Sequence, residues 1–117
     1  MSDTRAGIIG GMVEILTRVM EGREGLCVTF TVKGTPDRWL QFVDDQVNAA
    51  SFADSQPDAL VAELGPAVII SFQPRQHLTV TLAARDPETI AAWIHDYFVR
   101  GLDAGEGFLF DAAIEQL

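Results

Sequence analysis

The sequence predicts an α+β fold: an antiparallel five- or six-stranded sheet with an N-terminal helix, a short middle helix and a long C-terminal helix. Three observations carry this. Apolar residues alternate with small polar ones over Leu26 to Lys33 and Leu78 to Ala83, the period of a strand with one buried face. They recur at three- and four-residue spacing over Ile8 to Val19 and Ile90 to Gly101, the period of an amphipathic helix. The links between the first three strands are too short for crossovers, so those strands form an antiparallel meander. The order is α-β-β-β-α-β-β-α, with an optional final strand.

The first helix starts with Asp3 or Thr4 as its cap and runs to about Met20. Ile8, Met12, Ile15, Leu16 and Val19 form its apolar stripe, widened by Ile9, Val13 and Met20. Gly7, Gly10 and Gly11 lie off that stripe, and the four-residue step from Gly7 to Gly11 would let a second helix approach, as in a dimer contact. Gly22 and Gly25 end the helix. In the next segment Leu26, Val28, Phe30 and Val32 point inward, and Cys27, Thr29, Thr31 and Lys33 point outward. A turn over Gly34 to Asp37 leads to a strand from Arg38 to Val43. Leu40 and Phe42 share one face of it, and Trp39, Gln41 and Val43 share the other. Asp44, Asp45 and Gln46 make a hairpin loop into a third strand, Val47 to Phe52.

Ser55 is the expected cap of the short helix, with Pro57 in its first turn and Gly65-Pro66 as its stop. Val68 to Phe72 is a β-branched strand, Gln73 to Gln76 a turn, and Leu78, Val80 and Leu82 the inward set of a fifth strand. Asp86-Pro87-Glu88 joins a capping side chain, a proline at the first helical position and an acid in the first turn. Ile90, Ile94, Tyr97, Phe98 and Gly101 are the buried stripe of that helix, with Trp93 at its edge and Val99 and His95 on its outer side. Gly101 to Gly107 is a loop. Phe108 to about Glu115 alternates as a last strand would, and Ala112 to Glu115 also suits a helix.

With 117 residues and no linker or repeat, the chain reads as a single domain, 1–117. A domain of this size buries roughly 65% of its unfolded-chain surface, so its core requires no metal or disulfide staple. The net charge of −9 and the absence of a basic patch argue against nucleic acid as a partner. No apolar run is long enough to span a membrane, and the start MSDTR lacks the pattern of a signal peptide, so the expected location is cytoplasmic. Cys27, the one cysteine, forms no intramolecular disulfide and reads as a small buried hydrophobe.

The motifs of common chemistries are missing. There is no Gly-x-Ser-x-Gly elbow, P-loop or dinucleotide fingerprint, and Gly7 to Gly11 follows no strand. His77 and His95 have no ligand spacing, and His95 and Asp96, though adjacent, should diverge on a helix. Asp44-Asp45 offers too few ligands for calcium. The expectation is therefore no catalytic residue, no metal and no cofactor.

The sheet says more. If the Leu26-Val28-Phe30 side packs on the helices, the opposite side carries Thr29, Thr31, Trp39, Gln41, Thr79 and Thr81. Such a face is either solvated or an interface, and a large aromatic such as Trp39 anchors interfaces. Burial of Trp39 under the last strand or the loop after the second helix is the competing expectation.

The element order, with Val28-Thr29-Phe30 followed by Arg38-Trp39-Leu40-Gln41-Phe42-Val43, and with Asp86-Pro87-Glu88 followed by Ile90, Trp93, Ile94, Tyr97 and Phe98, resembles the class I type III secretion chaperone-like fold. That group includes the tyrosine-chaperone-like and sensory-transduction-regulator-like bacterial domains. The resemblance covers about residues 5 to 102, and it implies a small acidic cytoplasmic homodimer that holds a partner polypeptide without catalysis. The partner-binding candidates are Trp39, Gln41, Thr29, Thr31, Thr81 and Val99. The alternative is a small ligand-binding protein or enzyme with a pocket between sheet and helices, using His77, Arg75 and Asp45.

Overall fold

The computed structural model describes residues 3–22 and 24–116. The elements are α1 (Asp3–Glu21), β1 (Leu26–Val32), β2 (Trp39–Val43), β3 (Gln46–Ala50), α2 (Asp58–Leu64), β4 (Ala67–Gln73), β5 (His77–Leu82), α3 (Pro87–Gly101) and β6 (Phe110–Gln116). This is the predicted α+β order with its final strand. The sheet runs β4-β5-β3-β2-β1-β6, and every neighbouring pair is antiparallel.

The ambiguous C-terminal segment is a strand because β1 offers it a complete edge. Pairing runs from Leu26↔Gln116 to Val32↔Phe110 without a break, and this ladder overrides the local helical preference of Ala112 and Ala113. The Phe110 ring also meets Phe30 edge-on, with centroids 5.3 Å apart.

One face of the sheet is dry. Val28, Phe30, Leu40, Phe42 and Val80 are fully buried, and so are Met12 and Leu16 of α1 and Ile94 and Phe98 of α3. Each such side chain contributes roughly 1.5–3 kcal/mol of hydrophobic stabilisation. α3 packs against both α1 and α2, so the helices form one layer on this face.

The start of α3 is as the sequence predicts. The Asp86 carboxylate accepts from the Thr89 backbone N–H at 2.9 Å and from its hydroxyl at 2.8 Å, which holds the carboxyl below its ordinary value. Further along, the Tyr97 hydroxyl donates to the Ala50 carbonyl at 2.7 Å and ties the helix to the end of β3. Burial pushes the Tyr97 phenol up to about 12.

Several local expectations are corrected. α2 begins after Pro57, with no side-chain cap, so Ser55 does not cap it. The third strand stops at Ala50, and Phe52 lies exposed under the Arg38 guanidinium, 5.3 Å from its carbon to the ring centroid. Trp93 is a core residue, stacked on Tyr97 at 5.5 Å. Of the two glycines four residues apart on α1, Gly11 faces the Phe110 ring, 3.7 Å from where a Cβ would sit, whereas the space beside Gly7 is open. The capping side chains expected at Asp3 and Thr4 lie outside the described residues.

His95 and Asp96 depart most from expectation. His95 is buried, not on an outer helix surface, because the loop before β6 lays Phe108 over it with ring centroids 5.6 Å apart. His95 and Asp96 do not diverge: Nδ1 and Oδ1 are 2.8 Å apart. Asp96 also takes two hydrogen bonds from Arg5 of α1, at 3.1 and 2.9 Å. Partial burial pushes the Asp96 carboxyl up, but the bonds from Arg5 and His95 outweigh it, and the carboxyl stays below its ordinary value.

Candidate functional site

Alternation places every second residue of β1, β2, β3 and β5 on the face away from the helices. Cross-strand register then aligns them in rows. The central row is Thr29, Gln41, Asn48 and Thr79, flanked at its ends by Ala113 of β6 and Ser71 of β4. A second row holds Cys27, Val43, Gln46, Thr81 and Val68, and a third starts with Thr31 and Trp39. All three helices belong to the opposite layer, so this face is open.

The central row is tied together by side chains. Thr79 Oγ1 donates to Asn48 Oδ1 at 2.7 Å, Asn48 Nδ2 donates to Gln41 Oε1 at 3.4 Å, and Gln41 Nε2 reaches diagonally to Cys27 Sγ at 3.7 Å. This ladder crosses four strands, about 14 Å at the usual strand spacing. It explains why Cys27 is fully buried although it stands on the open face. The amides and hydroxyl are half-buried, and each already has a partner before anything docks.

Across β1, β2, β3 and β5 no Asp, Glu, Lys or Arg projects from this face. Charge returns only on β6, where Asp111 stands opposite Thr31 and Glu115 opposite Cys27. Asp111 pairs with Lys33 at 3.6 Å. In a chain of net charge −9, the acidity has been kept to the helical layer, the loops and one edge strand.

Of the six sequence-predicted residues, Thr29, Thr31, Trp39 and Gln41 form a contiguous group on β1 and β2. Thr81 shares the face but stands further across, on β5. Val99 does not join them. It lies on α3, partly buried and packed against the core, because its helix is the centre of the covering layer. Trp39 is half-buried at the start of β2, opposite Thr31. The last strand does not cover it, since β6 adds beside β1 in the plane of the sheet. Sequence reasoning missed Asn48, the hinge of the ladder. Its signal was a lone amide alternating with Val47 and Ala49.

The residues of the pocket alternative are not brought together. Asp45 lies at the β2–β3 turn, where its carbonyl accepts from the Leu82 N–H at 2.8 Å. His77 begins β5 and Arg75 precedes it, so they stand at the other end of that strand, about 17 Å away. Arg75 pairs with Asp54 and Asp45 with Arg85. Among the described residues no group of three His, Cys, Asp or Glu side chains is arranged to hold a metal ion. Nor is any helix among them long and apolar enough to cross a membrane. No family model matches the chain, and no curated protein or solved structure does.

Proposed function

We propose that this is a non-enzymatic chaperone-like or adaptor protein that binds a partner polypeptide on the open face of its sheet, as a cytoplasmic homodimer. The observation that carries the reading is the ordered face itself, which bears no Asp, Glu, Lys or Arg across β1, β2, β3 and β5. Side chains held by a cross-strand ladder lose little freedom on docking, which lowers the entropic cost of association. Trp39 supplies an aromatic anchor at one side, and the surrounding acidity would hold the basic part of a partner at the rim.

Photo-crosslinking tests the reading. A photoreactive residue at Thr29 is expected to give polypeptide adducts that diminish with Trp39→Ala, whereas the same probe at Ala59, exposed on α2, gives none. Light scattering across a concentration series is expected to give twice the chain mass. A strict monomer that yields no adduct from Thr29 overturns the proposal.

A further inference from the structure

The sheet has two free edges, and they differ in chemistry. β6 carries Asp111 and Glu115, charges that oppose pairing with another strand. β4 reads Ala67-Val68-Ile69-Ile70-Ser71-Phe72-Gln73 and carries no charge. Val68 and Ile70 are 64% and 57% exposed there, on a strand whose other side is already paired with β5. A register shift between Ile69 and Ser71 is its one irregularity. A short, uncharged, β-branched edge is a template for strand addition.

A groove runs alongside this edge. It has a volume of about 320 Å³ and lies between α2 and β4, walled by Val61, Ala62, Ala67 and Ile69. Gln56 and Asp58 form its polar rim. The Asp58 carboxylate accepts from Gln56 Nε2 at 2.9 Å, and among the described residues no cation pairs with it. The other charged residue of α2 is also acidic: Glu63, already paired with Arg100.

We infer that the β4 edge accepts an extended, basic segment of a partner polypeptide as a seventh strand. Backbone hydrogen bonds supply the affinity. Alternate side chains enter the α2–β4 groove, and the intervening ones extend the sheet beside Val68 and Ile70. Charge selects the occupant. Asp58 awaits a Lys or Arg, whereas a second copy of this chain would bring another net charge of −9 and an equally uncharged strand. The backbone edge of β4 and the α2–β4 groove exist whether or not a partner covers Thr29, Trp39 and Gln41, so this inference does not rest on the function proposed above.

The test uses the full chain and two synthetic heptapeptides, one alternating valine with lysine and one alternating valine with glutamate, followed by backbone amide NMR. The valine–lysine peptide is expected to shift amides of residues 67–73 and of α2, and to bind at least about tenfold more weakly in high salt. Ile70→Lys should abolish those shifts, Asp58→Asn should weaken binding by about threefold to tenfold, and Ile114→Lys on β6 should change nothing. Ile70 and Ile114 are both exposed, so neither substitution threatens folding. Equal binding by the valine–glutamate peptide, shifts confined to β6 or the open face, or no binding overturns the inference. Broadening of β4 amides with protein concentration alone assigns the edge to a second copy, which also overturns it.

Discussion

The two faces of the sheet use the same strands for opposite ends. On the inner face Val28, Phe30, Leu40, Phe42 and Val80 are sealed by the helical layer and contribute through dispersion and loss of water contact. On the outer face Gln41, Asn48 and Thr79 are linked only to one another and to Cys27, through hydrogen bonds that water can replace. The difference teaches that the two faces of one sheet are ordered by different forces: burial on one side, side-chain hydrogen bonds on the other. The inner face holds the fold, and the outer face is ordered without being needed to hold it.

The sharpest way to break that comparison is to truncate one residue on each face of the same strand. Phe42→Ala leaves a cavity in the core and is expected to cost about 3–5 kcal/mol. Gln41→Ala, one residue away, removes two weak hydrogen bonds from a half-exposed site and should cost about 1 kcal/mol or less. Urea denaturation with an unchanged slope checks both. Equal losses would mean that the outer face also carries the fold.

The inner layer has a tight point at Gly101. A Cβ there would meet the Tyr97 ring at 2.9 Å, so Gly101→Ala should cost about 1–3 kcal/mol despite its better helix propensity. The same ring makes the stability of the fold depend on pH in alkali. The folded-state phenol is raised to about 12, from an ordinary value of 10.0, so its stabilising contribution is whole below the unfolded value and is lost as pH rises from 10.0 through about 12. Tyr97 is the one tyrosine in the chain, so tyrosinate absorbance reports it alone. Tyr97→Phe should cost about 1 kcal/mol at neutral pH by removing the bond to Ala50, and should flatten the loss of stability in that alkaline window.

A smaller effect tests the solvent side of the helical layer. Asp96→Asn loosens the link from α1 to α3 and should cost about 1 kcal/mol or less, because Arg5 is half-exposed and water screens the pair. The Asp96 carboxyl is lowered in the fold, so its contribution is present above the unfolded carboxylate value and disappears as pH falls through the folded one. Wild-type chain should therefore lose more stability in acid than the variant does.

The sequence made the layers legible because each was written in a period. The alternation over Leu26 to Lys33 and the helical spacing over Ile90 to Gly101 named the residues that are now buried, and Asp86-Pro87-Glu88 named a cap that forms as written. Four of the six candidate residues, Thr29, Thr31, Trp39 and Gln41, proved adjacent because pairing of β1 with β2 follows from a short connection. What was not legible came from distant partners. His95 is buried by Phe108 and Asp96 is clamped by Arg5, thirteen and ninety-one residues away along the chain. Helical phase alone puts Val99 outside the core, but α3 is flanked by both other helices and Val99 packs against the core. The exposure of Val68 and Ile70 depends on β5 inserting between β3 and β4, which leaves β4 at the edge.

The finest test of the two faces is Asn48, because it bonds to neighbours on both sides. Asn48→Ala removes the acceptor of Thr79 and a donor to Gln41. On an open face, water takes up both freed groups, so the cost should be about 0.5 kcal/mol, well below that of a buried orphaned pair. The change should instead appear as mobility: side-chain amide and methyl relaxation at Gln41 and Thr79 should report faster motion, with the core methyls of Val28 and Val80 unaffected. A loss of several kcal/mol would show that the row is dry in solution. The face would then be covered before any partner arrives, and the copy that covers it would be part of the native fold.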